Sequence, residues 1–382
     1  MDRPALPRAA DKPLFTPGPL TTSQSVKLAM LRDLGSRDNE FIAIVRQVRD
    51  ELLALAGVSQ RDGYEAVLMQ GSGTFGVEAV VSSAVPPHGK LLVCSNGSYG
   101  ERIAAMAKVH RIPVAVVRAP EDQPIDPAAV EQALKSDPAI TDVAIVHCET
   151  TSGILNPIEA VGKLAKLYGK TYFVDSMSAF GAVEFDFRAC EIDFLVSSAN
   201  KCIEGVPGFS FAICRRAALE TTAGNARTLS LDLLAQWKGL EANGQFRFTP
   251  PVQTILAFHQ ALAELRQEGG VAGRAARYRA NHACLLEGMN ALGFEEYLPR
   301  HLQGYLITSF RYPTDPNFQF DEFYTRLNDQ GFVIYPGKVS NADCFRIGHI
   351  GRLFPSDSKA LLRAIANVLQ DMGVELQPAH VA

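Results

Sequence analysis

The first half of the chain alternates between stretches with the period of an amphipathic helix and short stretches rich in β-branched residues. Asp38 can cap a helix that Gly57 can end. The apolar positions of this helix fall on one face: Phe41, Ile44, Val45, Val48, Leu52 and Leu55. The runs with strand character that follow are Tyr64–Gln70, Lys90–Ser95, Pro113–Arg118, Asp142–His147, Thr171–Asp175, Ile192–Ser197 and Phe209–Cys214.

Helical signals separate most of these runs. In both Asp126-Pro127 and Asn156-Pro157 a good capping residue precedes a proline, a combination that favours the beginning of a helix. Strands that alternate with helices indicate an α/β fold, in which a mostly parallel central sheet is flanked by helices on both faces.

Beyond about residue 215 the pattern changes to longer helices and then to a mixed α+β region. The candidate elements there are Asp232–Leu240, Pro251–Arg277, Tyr305–Arg311, Phe332–Tyr335 and Asp357–Met372. We therefore predict a loose tail over residues 1–13, a large domain over 14–260 and a smaller C-terminal α+β domain over 261–382. Residues 14–22 are expected to be able to pack against the smaller domain.

Composition and charge narrow the class of protein. The chain has 382 residues, of which 47% are hydrophobic and 20% charged, with a net charge of −4. This is typical of a globular protein and gives no electrostatic reason to expect a nucleic-acid partner. No apolar run reaches membrane-spanning length, and Met1–Pro13 lacks the apolar core of a secretion signal, so we expect a cytoplasmic protein without a membrane partner.

The cysteines point in the same direction. Their number is odd and no CxxC pair occurs: Cys94, Cys148, Cys190, Cys202, Cys214, Cys284 and Cys344. This pattern is typical of buried free thiols in a reducing compartment. It favours neither a disulfide framework nor a metal site.

Two charged residues stand where predicted strands end. Lys201 follows the run Ile192–Ser197, and Asp175 closes Thr171–Asp175. The carboxyl ends of parallel strands share one edge of a sheet, where α/β proteins build ligand sites. Together the two side chains suit pyridoxal phosphate (PLP), whose pyridine nitrogen needs an acidic partner and whose aldehyde needs a lysine. Each residue alone has a plainer interpretation, as a surface lysine or as a turn aspartate.

A glycine-rich turn follows the first predicted strand. Gly71-Ser-Gly-Thr74 stands between Tyr64–Gln70 and a helical run, so free backbone N–H groups and the positive end of a helix can face an anion there. Ser72 and Thr74 can add hydroxyl donors. The turn lacks the lysine and the spacing of nucleotide-binding loops, which favours a single phosphate group.

Two further strand ends carry groups that suit a planar cofactor. Tyr99, between Gly97 and Gly100, can lay its ring over such a molecule, or it is an ordinary turn tyrosine. Thr150 and Thr151 offer hydroxyls, whereas His147 before them is expected to be a packed residue and not a catalytic base.

These segments resemble the class V aminotransferases of PLP fold type I over about residues 14–370. The similarity is strongest to the subgroup that transfers the amino group of 2-aminoethylphosphonate to pyruvate. The segments that carry the resemblance are Leu14–Thr22 (LFTPGPLTT), Gly71–Thr74 (GSGT), Glu149–Gly153 (ETTSG), Val174–Ser178 (VDSMS) and Ser198–Gly208 (SANKCIEGVPG).

The resemblance implies a role for each matching residue. Lys201 would be bonded to PLP as a Schiff base and would act as the general base, and Asp175 would pair with the pyridine nitrogen. The remaining residues implied to contact the cofactor are Ser72, Gly73, Thr74 and Asn200 around the phosphate, Tyr99 on the ring and Thr150 near the ring hydroxyl.

The resemblance also implies a partner subunit and a substrate contact. Thr249, in Arg247-Phe-Thr-Pro-Pro251, would reach the cofactor phosphate of the second subunit of a homodimer. Arg346 would bind the acid group of the substrates, since a planar guanidinium can make two parallel hydrogen bonds to a phosphonate or a carboxylate. The plainer interpretation of Arg346 is a surface arginine at a strand end.

One segment departs from the subgroup. Asp33-Leu-Gly-Ser-Arg-Asp38 has Leu34 where a tryptophan is expected, which bears on the choice of amino donor. Arg37 is either a second anion contact or an exposed helix-flanking residue. The alternative activities are an alanine- or serine–glyoxylate aminotransferase on the same scaffold, a PLP lyase such as a cysteine desulfurase, and a non-enzymatic binding protein.

Overall fold

A mixed central sheet organises the larger part of the molecule. The computed structural model describes residues 11–337 and 339–376. Its strands are β1 (Tyr64–Gln70), β2 (Lys90–Ser95), β3 (Val114–Arg118), β4 (Ile140–Val146), β5 (Cys148–Glu149), β6 (Ile154–Leu155), β7 (Thr171–Asp175), β8 (Phe194–Ser198), β9 (Phe209–Arg215), β10 (Ile307–Arg311), β11 (Tyr335–Pro336) and β12 (Cys344–Gly348). The central sheet has seven strands in the order β1-β9-β8-β7-β4-β2-β3, and all seven predicted strands are confirmed.

The direction of one strand differs from a fully parallel sheet. β9 is antiparallel to both of its neighbours, β1 and β8, whereas the other pairs are parallel. A parallel return needs a crossover of a dozen or more residues, and the segment 199–208 between β8 and β9 is too short for one. That segment carries Lys201, and Gly71 N donates to Gly208 O at 3.1 Å. The lysine loop and the glycine-rich turn therefore share one edge.

Helices cover the central sheet and make up much of the remaining structure. They are α1 (Gln24–Leu28), α2 (Asn39–Leu55), α3 (Gly73–Ala84), α4 (Ser98–Val109), α5 (Pro127–Ser136), α6 (Ile158–Leu167), α7 (Arg216–Glu220), α8 (Leu233–Asn243), α9 (Val252–Gln267), α10 (Gly270–Ala291), α11 (Phe320–Asp329) and α12 (Pro355–Met372). Asp38 and Asp126 each accept a backbone N–H as N-caps, as predicted, and the structure shows that Asp232 caps α8 in the same way.

Two predictions about helices differ in outcome, because the predicted Asn156 cap was wrong whereas the helical stretch after Pro251 is present. α6 begins at Ile158 without a capping side chain, because the Asn156 side chain is buried and hydrogen-bonded to Asn96, to Val146 O and to the N–H of Ile125. The helical material predicted over Pro251–Arg277 is confirmed, and it forms two helices, α9 and α10, which Gly269 separates with a φ of +99°. Glycine adopts this left-handed conformation without the steric cost of a side chain.

A second hydrophobic cluster lies in the C-terminal part. The large cluster extends along the chain from Val26 to Leu265, whereas the second comprises residues from Leu285 to Val374 together with Phe15. Here β10, β12 and β11 form a three-stranded antiparallel sheet. Phe15 N donates to Val333 O at 2.8 Å, so the segment after the first described residues crosses to this region. Residues 1–10 of the predicted N-terminal tail lie outside the described residues.

Candidate active site

A cavity of about 200 Å³ opens at the carboxyl edge of the parallel strands. It is bounded by the ends of β7 and β8 and by the first turns of α3 and α4. The lining residues are Ser72, Gly73, Thr74, Val77, Tyr99, Arg102, Ile103, Met106, Asp175, Met177, Ser198, Asn200 and Lys201. Seven of the predicted site residues are therefore brought together here, although they come from four separate parts of the chain.

Lys201 is held in this cavity by the N-terminal segment. Its Nζ donates a hydrogen bond to Pro17 O at 2.6 Å. A Cβ on the neighbouring Gly18 would approach Lys201 Nζ to 2.6 Å, and the φ of Gly18 is +124°, so only glycine fits. Burial lowers the pKa of the Lys201 amine, and the positive charge of Arg346 lowers it further. The charges of Tyr99, Cys202 and Asp175 act in the opposite direction and raise this pKa. A lowered pKa favours the neutral, nucleophilic amine.

Asp175 ends β7 with its carboxyl group directed into the same cavity. Burial raises the pKa of this carboxyl to about 6, while a hydrogen bond from the Met177 N–H to Oδ1 at 3.0 Å and the charges of Lys201 and Arg102 oppose the rise. A cationic group beside this carboxyl would therefore stabilise its ionised form. A protonated ring nitrogen is a group of that kind.

The glycine-rich turn forms the start of α3. Ser72 precedes the helix and makes no capping hydrogen bond with its side chain, and Gly73 and Thr74 are the first helical residues. The first N–H groups of a helix have no acceptor inside it, and the helix dipole places positive potential at this end. With two hydroxyls beside them, these groups suit a phosphate.

Tyr99 stands at the start of α4, where a buried carboxylate organises the backbone. Glu149 accepts hydrogen bonds from the N–H groups of Tyr99 (3.1 Å), Gly100 (3.4 Å) and Thr151 (3.2 Å). A Cβ on Gly97 would approach the Glu149 carboxyl carbon to 2.5 Å, so this close approach requires glycine. Burial raises the pKa of Glu149, and the hydrogen bonds that it accepts oppose the rise.

Arg346 and Thr150 lie together beside the cavity. Arg346 stands in the middle of β12 and is 1% exposed, so the interpretation as a surface arginine is wrong. Its Nη1 donates to Thr150 O at 2.9 Å and its Nε to Pro336 O at 3.0 Å. Burial lowers the pKa of its guanidinium, and Tyr99 opposes this through its charge and a hydrogen bond. Tyr99 thus connects the cavity to Arg346.

The other predicted residues fall in different surroundings. Asn200 lines the cavity, where its Oδ1 accepts a hydrogen bond from Ser198 Oγ at 3.1 Å. Thr249 is exposed and is not among the lining residues. Leu34 packs against the large hydrophobic cluster, and Arg37 is exposed, so neither residue lines the cavity.

Two buried side chains near the cavity are unsuited to catalysis by themselves. His147 is packed, with Nδ1 3.0 Å from Ser176 Oγ, and burial lowers its pKa to about 4. Cys202, directly after Lys201, has its pKa raised to about 12 by burial and lies 3.1 Å from Ser178 O. A thiol with such a pKa is a poor nucleophile, which disfavours cysteine-based lyase chemistry.

Sequence reasoning missed two residues of this site. Glu149 belongs to a segment that attracted attention for its threonines, and its position between a strand end and two hydroxyls was the available signal. Arg102 lines the cavity, and its spacing of three residues from Tyr99 on a helix could have placed both side chains on one face.

The state of the cysteines, metal binding and membrane-spanning helices are broader properties of the chain. All seven cysteines are free, and all except Cys284 are buried. Within residues 11–337 and 339–376, no cluster of His, Cys, Asp and Glu side chains has the composition to hold a metal ion. In the same part of the chain, no helix has both the length and the apolar character required to cross a membrane.

Comparisons with known proteins agree with this geometry. Residues 22–341 match the model of the family described as aminotransferase class V. The chain is 54% identical, over 93% of its length and 97% of the relative's, to a 2-aminoethylphosphonate–pyruvate transaminase of Vibrio vulnificus. It is 52% identical, with the same coverage, to a protein of that name from Klebsiella pneumoniae.

Solved structures give the same result. Pyridoxamine–pyruvate aminotransferase from Mesorhizobium loti superposes with a TM-score of 0.86 at 26% identity, covering 97% of this chain and 95% of the other. The α/β architecture with its central mixed sheet is that of the PLP fold type I aminotransferases. From the family match and the high identity over nearly the whole length, we conclude that this chain belongs to the class V aminotransferase family.

Proposed function

We propose that this chain uses PLP to transfer the amino group of 2-aminoethylphosphonate to pyruvate, giving phosphonoacetaldehyde and L-alanine. The observation that carries the proposal is its 54% identity, over 93% of the chain, to a relative named for this reaction. The cavity that contains Lys201 and Asp175 supplies the chemistry such a reaction needs.

The donors around the cavity fit PLP. Lys201 would hold the cofactor covalently, and Asp175, whose pKa burial raises to about 6, would pair with its ring nitrogen. The start of α3 offers N–H groups and hydroxyls to a phosphate. Other cofactor contacts proposed here are Ser72, Gly73, Thr74 and Asn200 around the phosphate, and Tyr99 and Thr150 at the ring. When bound, PLP supplies an electron sink for the carbanion formed at the substrate carbon.

Lys201 would act as the general base of the proposed transamination. Its buried amine has a lowered pKa, so Nζ can take a proton from the carbon that carries the substrate's amino group. Pro17 O accepts a hydrogen bond from this amine and so limits its orientation. The carboxylate of Asp175 holds a proton at the ring nitrogen and thereby supports the electron sink.

Arg346 would bind the acid group of both substrates. Two of its N–H groups are used by Thr150 O and Pro336 O, which fix the plane of the guanidinium. The remaining donors can bind a phosphonate in one half of the reaction and a carboxylate in the other, because both groups accept parallel hydrogen bonds.

We also propose a homodimer in which Thr249 completes the site of the second subunit. Thr249 is exposed, the adjacent Phe248 is 45% exposed, and Phe75 in the first turn of α3 is 52% exposed. Gln70 Nε2 donates to Phe248 O at 2.9 Å, which places this segment beside the turn at the mouth of the cavity. Large exposed aromatic side chains close to an active site favour an interface between subunits. The free cysteines favour a cytoplasmic location.

Profiling of amino donors and acceptors tests the proposed reaction. Purified protein with PLP is supplied with pyruvate and either 2-aminoethylphosphonate or serine, and in parallel with glyoxylate and either serine or alanine. We expect phosphonoacetaldehyde and alanine from the first pair only. Preferred use of serine or alanine with glyoxylate would replace this proposal with the alternative aminotransferase activity. Release of sulfide from cysteine would indicate a lyase.

A variant of Arg346 tests the substrate contact separately. Arg346→Ala is expected to raise the KM for both 2-aminoethylphosphonate and pyruvate by at least about tenfold, since a charge-assisted contact is lost from each complex. An unchanged KM for 2-aminoethylphosphonate would remove Arg346 from the site.

A further inference from the structure

A second arginine faces the cavity from the first turns of α4. Arg102 follows Tyr99 by three residues, so the two side chains share one face of the helix. The Arg102 guanidinium carbon lies 4.8 Å from the centroid of the Tyr99 ring, and Nη1 lies 3.4 Å from Thr74 Oγ1. Arg102 therefore contacts both Tyr99, which is proposed to stack on the cofactor ring, and Thr74, which is proposed to bind its phosphate.

The guanidinium group of Arg102 has N–H donors that can bind a further acceptor. Its bond to Thr74 is longer than a typical N–H···O hydrogen bond, and a guanidinium carries five N–H donors. Arg102 forms no ion pair with any residue in the ranges 11–337 and 339–376. The adjacent Glu101 is hydrogen-bonded to Arg118 at 2.9 Å instead. Among the described residues, no carboxylate therefore forms an ion pair with this positive charge, and the Asp175 carboxyl of the same cavity interacts with it only at longer range.

The distribution of charge around the cavity favours the binding of an anion near Arg102. The ionisable lining residues apart from Tyr99 are Asp175, Lys201 and Arg102. A phosphate monoester carries a charge between about −1.5 and −2 at neutral pH, whereas a helix N-terminus contributes only about +0.5. Under the proposed function the Lys201 amine is bonded to the cofactor aldehyde and Asp175 pairs with the ring nitrogen. Among the described residues that line the cavity, Arg102 is then the full positive charge left for the phosphate.

We propose that Arg102 binds the phosphate group of the cofactor from the side of Thr74. It supplies charge-assisted hydrogen bonds to a monoester dianion whose other proposed contacts, the turn before α3, Asn200 and the partner's Thr249, offer only neutral donors. The inference rests on the proposed function, because it assumes that the cavity takes a phosphorylated pyridine aldehyde.

Binding measurements with two probes test this role without an activity assay. The full-length chain, freed of cofactor, is titrated with pyridoxal 5′-phosphate and with pyridoxal, which lacks the phosphate, and the absorbance change gives each Kd. We expect Arg102→Ala to raise the Kd for pyridoxal phosphate roughly tenfold or more, as for the loss of one charge-assisted contact. The Kd for pyridoxal should change less than about twofold.

Two further variants control for the charge of Arg102 and for the removal of any arginine. Arg102→Lys should recover part of the affinity because it keeps the charge, and Arg118→Ala, which removes an exposed arginine, should change neither Kd. An unchanged Kd for pyridoxal phosphate in Arg102→Ala overturns the inference. An equal loss for both probes also overturns it, since Arg102 would then act only through the Tyr99 ring. If the wild-type chain binds neither probe, the proposed function itself fails.

Discussion

Burial acts in opposite directions on the two groups at the centre of the cavity. It lowers the pKa of the Lys201 amine and raises the pKa of the Asp175 carboxyl to about 6. Both groups are thereby moved toward their neutral forms, which have the smaller desolvation cost. For the lysine this produces a nucleophile. For the aspartate, burial destabilises the ionised carboxylate, and a cationic ring nitrogen would offset this destabilisation.

The cost at Asp175 predicts a pH-dependent stability in the cofactor-free chain. Because the pKa is higher in the folded than in the unfolded state, folding binds a proton between about pH 4 and 6, and stability falls as the pH rises through this window. Asp175→Asn should therefore increase the unfolding free energy above pH 6 by up to about 3 kcal/mol and leave it nearly unchanged at about pH 3, below both pKa values. Urea denaturation at both pH values measures this.

Asp142 provides the matched control for that experiment. It is buried in β4, and burial raises its pKa to about 6 as well, but it does not line the cavity. Asp142→Asn should be stabilised in a similar way above pH 6 and keep transaminase activity, whereas Asp175→Asn should lose it. Equal activity in the two variants would contradict the role of Asp175.

Among the elements, α4 shows how a residue of another strand, about fifty positions along the chain, sets the position of a helix. The N-cap position is Gly97, which has no side chain to satisfy the first N–H groups. Glu149 supplies the acceptors instead, from the segment after β4, and Ser98 N donates to Thr151 Oγ1 at 3.2 Å. The helix is thus capped across the cavity edge, and Tyr99 is fixed relative to Thr150.

Removal of this cap should weaken both the fold and the site. Glu149→Ala leaves buried N–H groups of Tyr99, Gly100 and Thr151 without their acceptor, so we expect a loss of about 2–4 kcal/mol in the free energy of unfolding. Chemical denaturation measures the loss. Glu101→Ala, in the same helix but in an exposed ion pair, should cost less than about 1 kcal/mol. Similar losses in the two variants would argue against a cap.

At the scale of the whole molecule, a buried polar network joins the lysine loop to the C-terminal part. Glu204 N donates to Lys201 O at 2.7 Å, and the Glu204 carboxylate accepts from Arg277 (2.7 Å) and Tyr278 (2.6 Å) of α10. Tyr278 OH in turn accepts from Gly351 N at 3.1 Å, in the turn after the strand of Arg346. The network connects the surroundings of the proposed base and of the substrate arginine.

Loss of Glu204 should therefore destabilise the protein strongly. Arg274, which is fully buried, and Arg277 would lose a carboxylate partner, and we expect Glu204→Ala to lower the free energy of unfolding by about 3 kcal/mol. Glu184→Ala is the control, because Glu184 pairs with Arg279 of the same helix at an exposed position, and should cost less than about 0.5 kcal/mol. Denaturant midpoints of the two variants give the comparison.

The proposed homodimer predicts complementation between two inactive variants. Lys201→Ala and Thr249→Ala should each have low activity alone. In a mixed dimer the subunit with intact Lys201 receives Thr249 from its partner, so unfolding and refolding the two together should restore activity. Up to one site per mixed dimer would be functional. If activity stays at the level of the separate variants, Thr249 does not serve the neighbouring subunit.

The sequence by itself determined the strands of the central sheet and the groups at their ends. Periodicity is a local property, and the carboxyl ends of parallel strands must share an edge, so Lys201, Asp175 and the turn before α3 could be predicted to converge. The resemblance of short segments to a known family then indicated the cofactor. These inferences needed only residues that are close in the sequence or a rule that applies to every parallel sheet.

Only the tertiary structure decided how distant residues meet. Strand order and the direction of β9 depend on pairing across the sheet, and the burial of Arg346 depends on its neighbours β10 and β11. The cap formed by Glu149 and the approach of Arg102 to Thr74 join segments that no local pattern relates. Hydrogen bonds and packing between such segments depend on three-dimensional distance, which the period of a sequence does not contain.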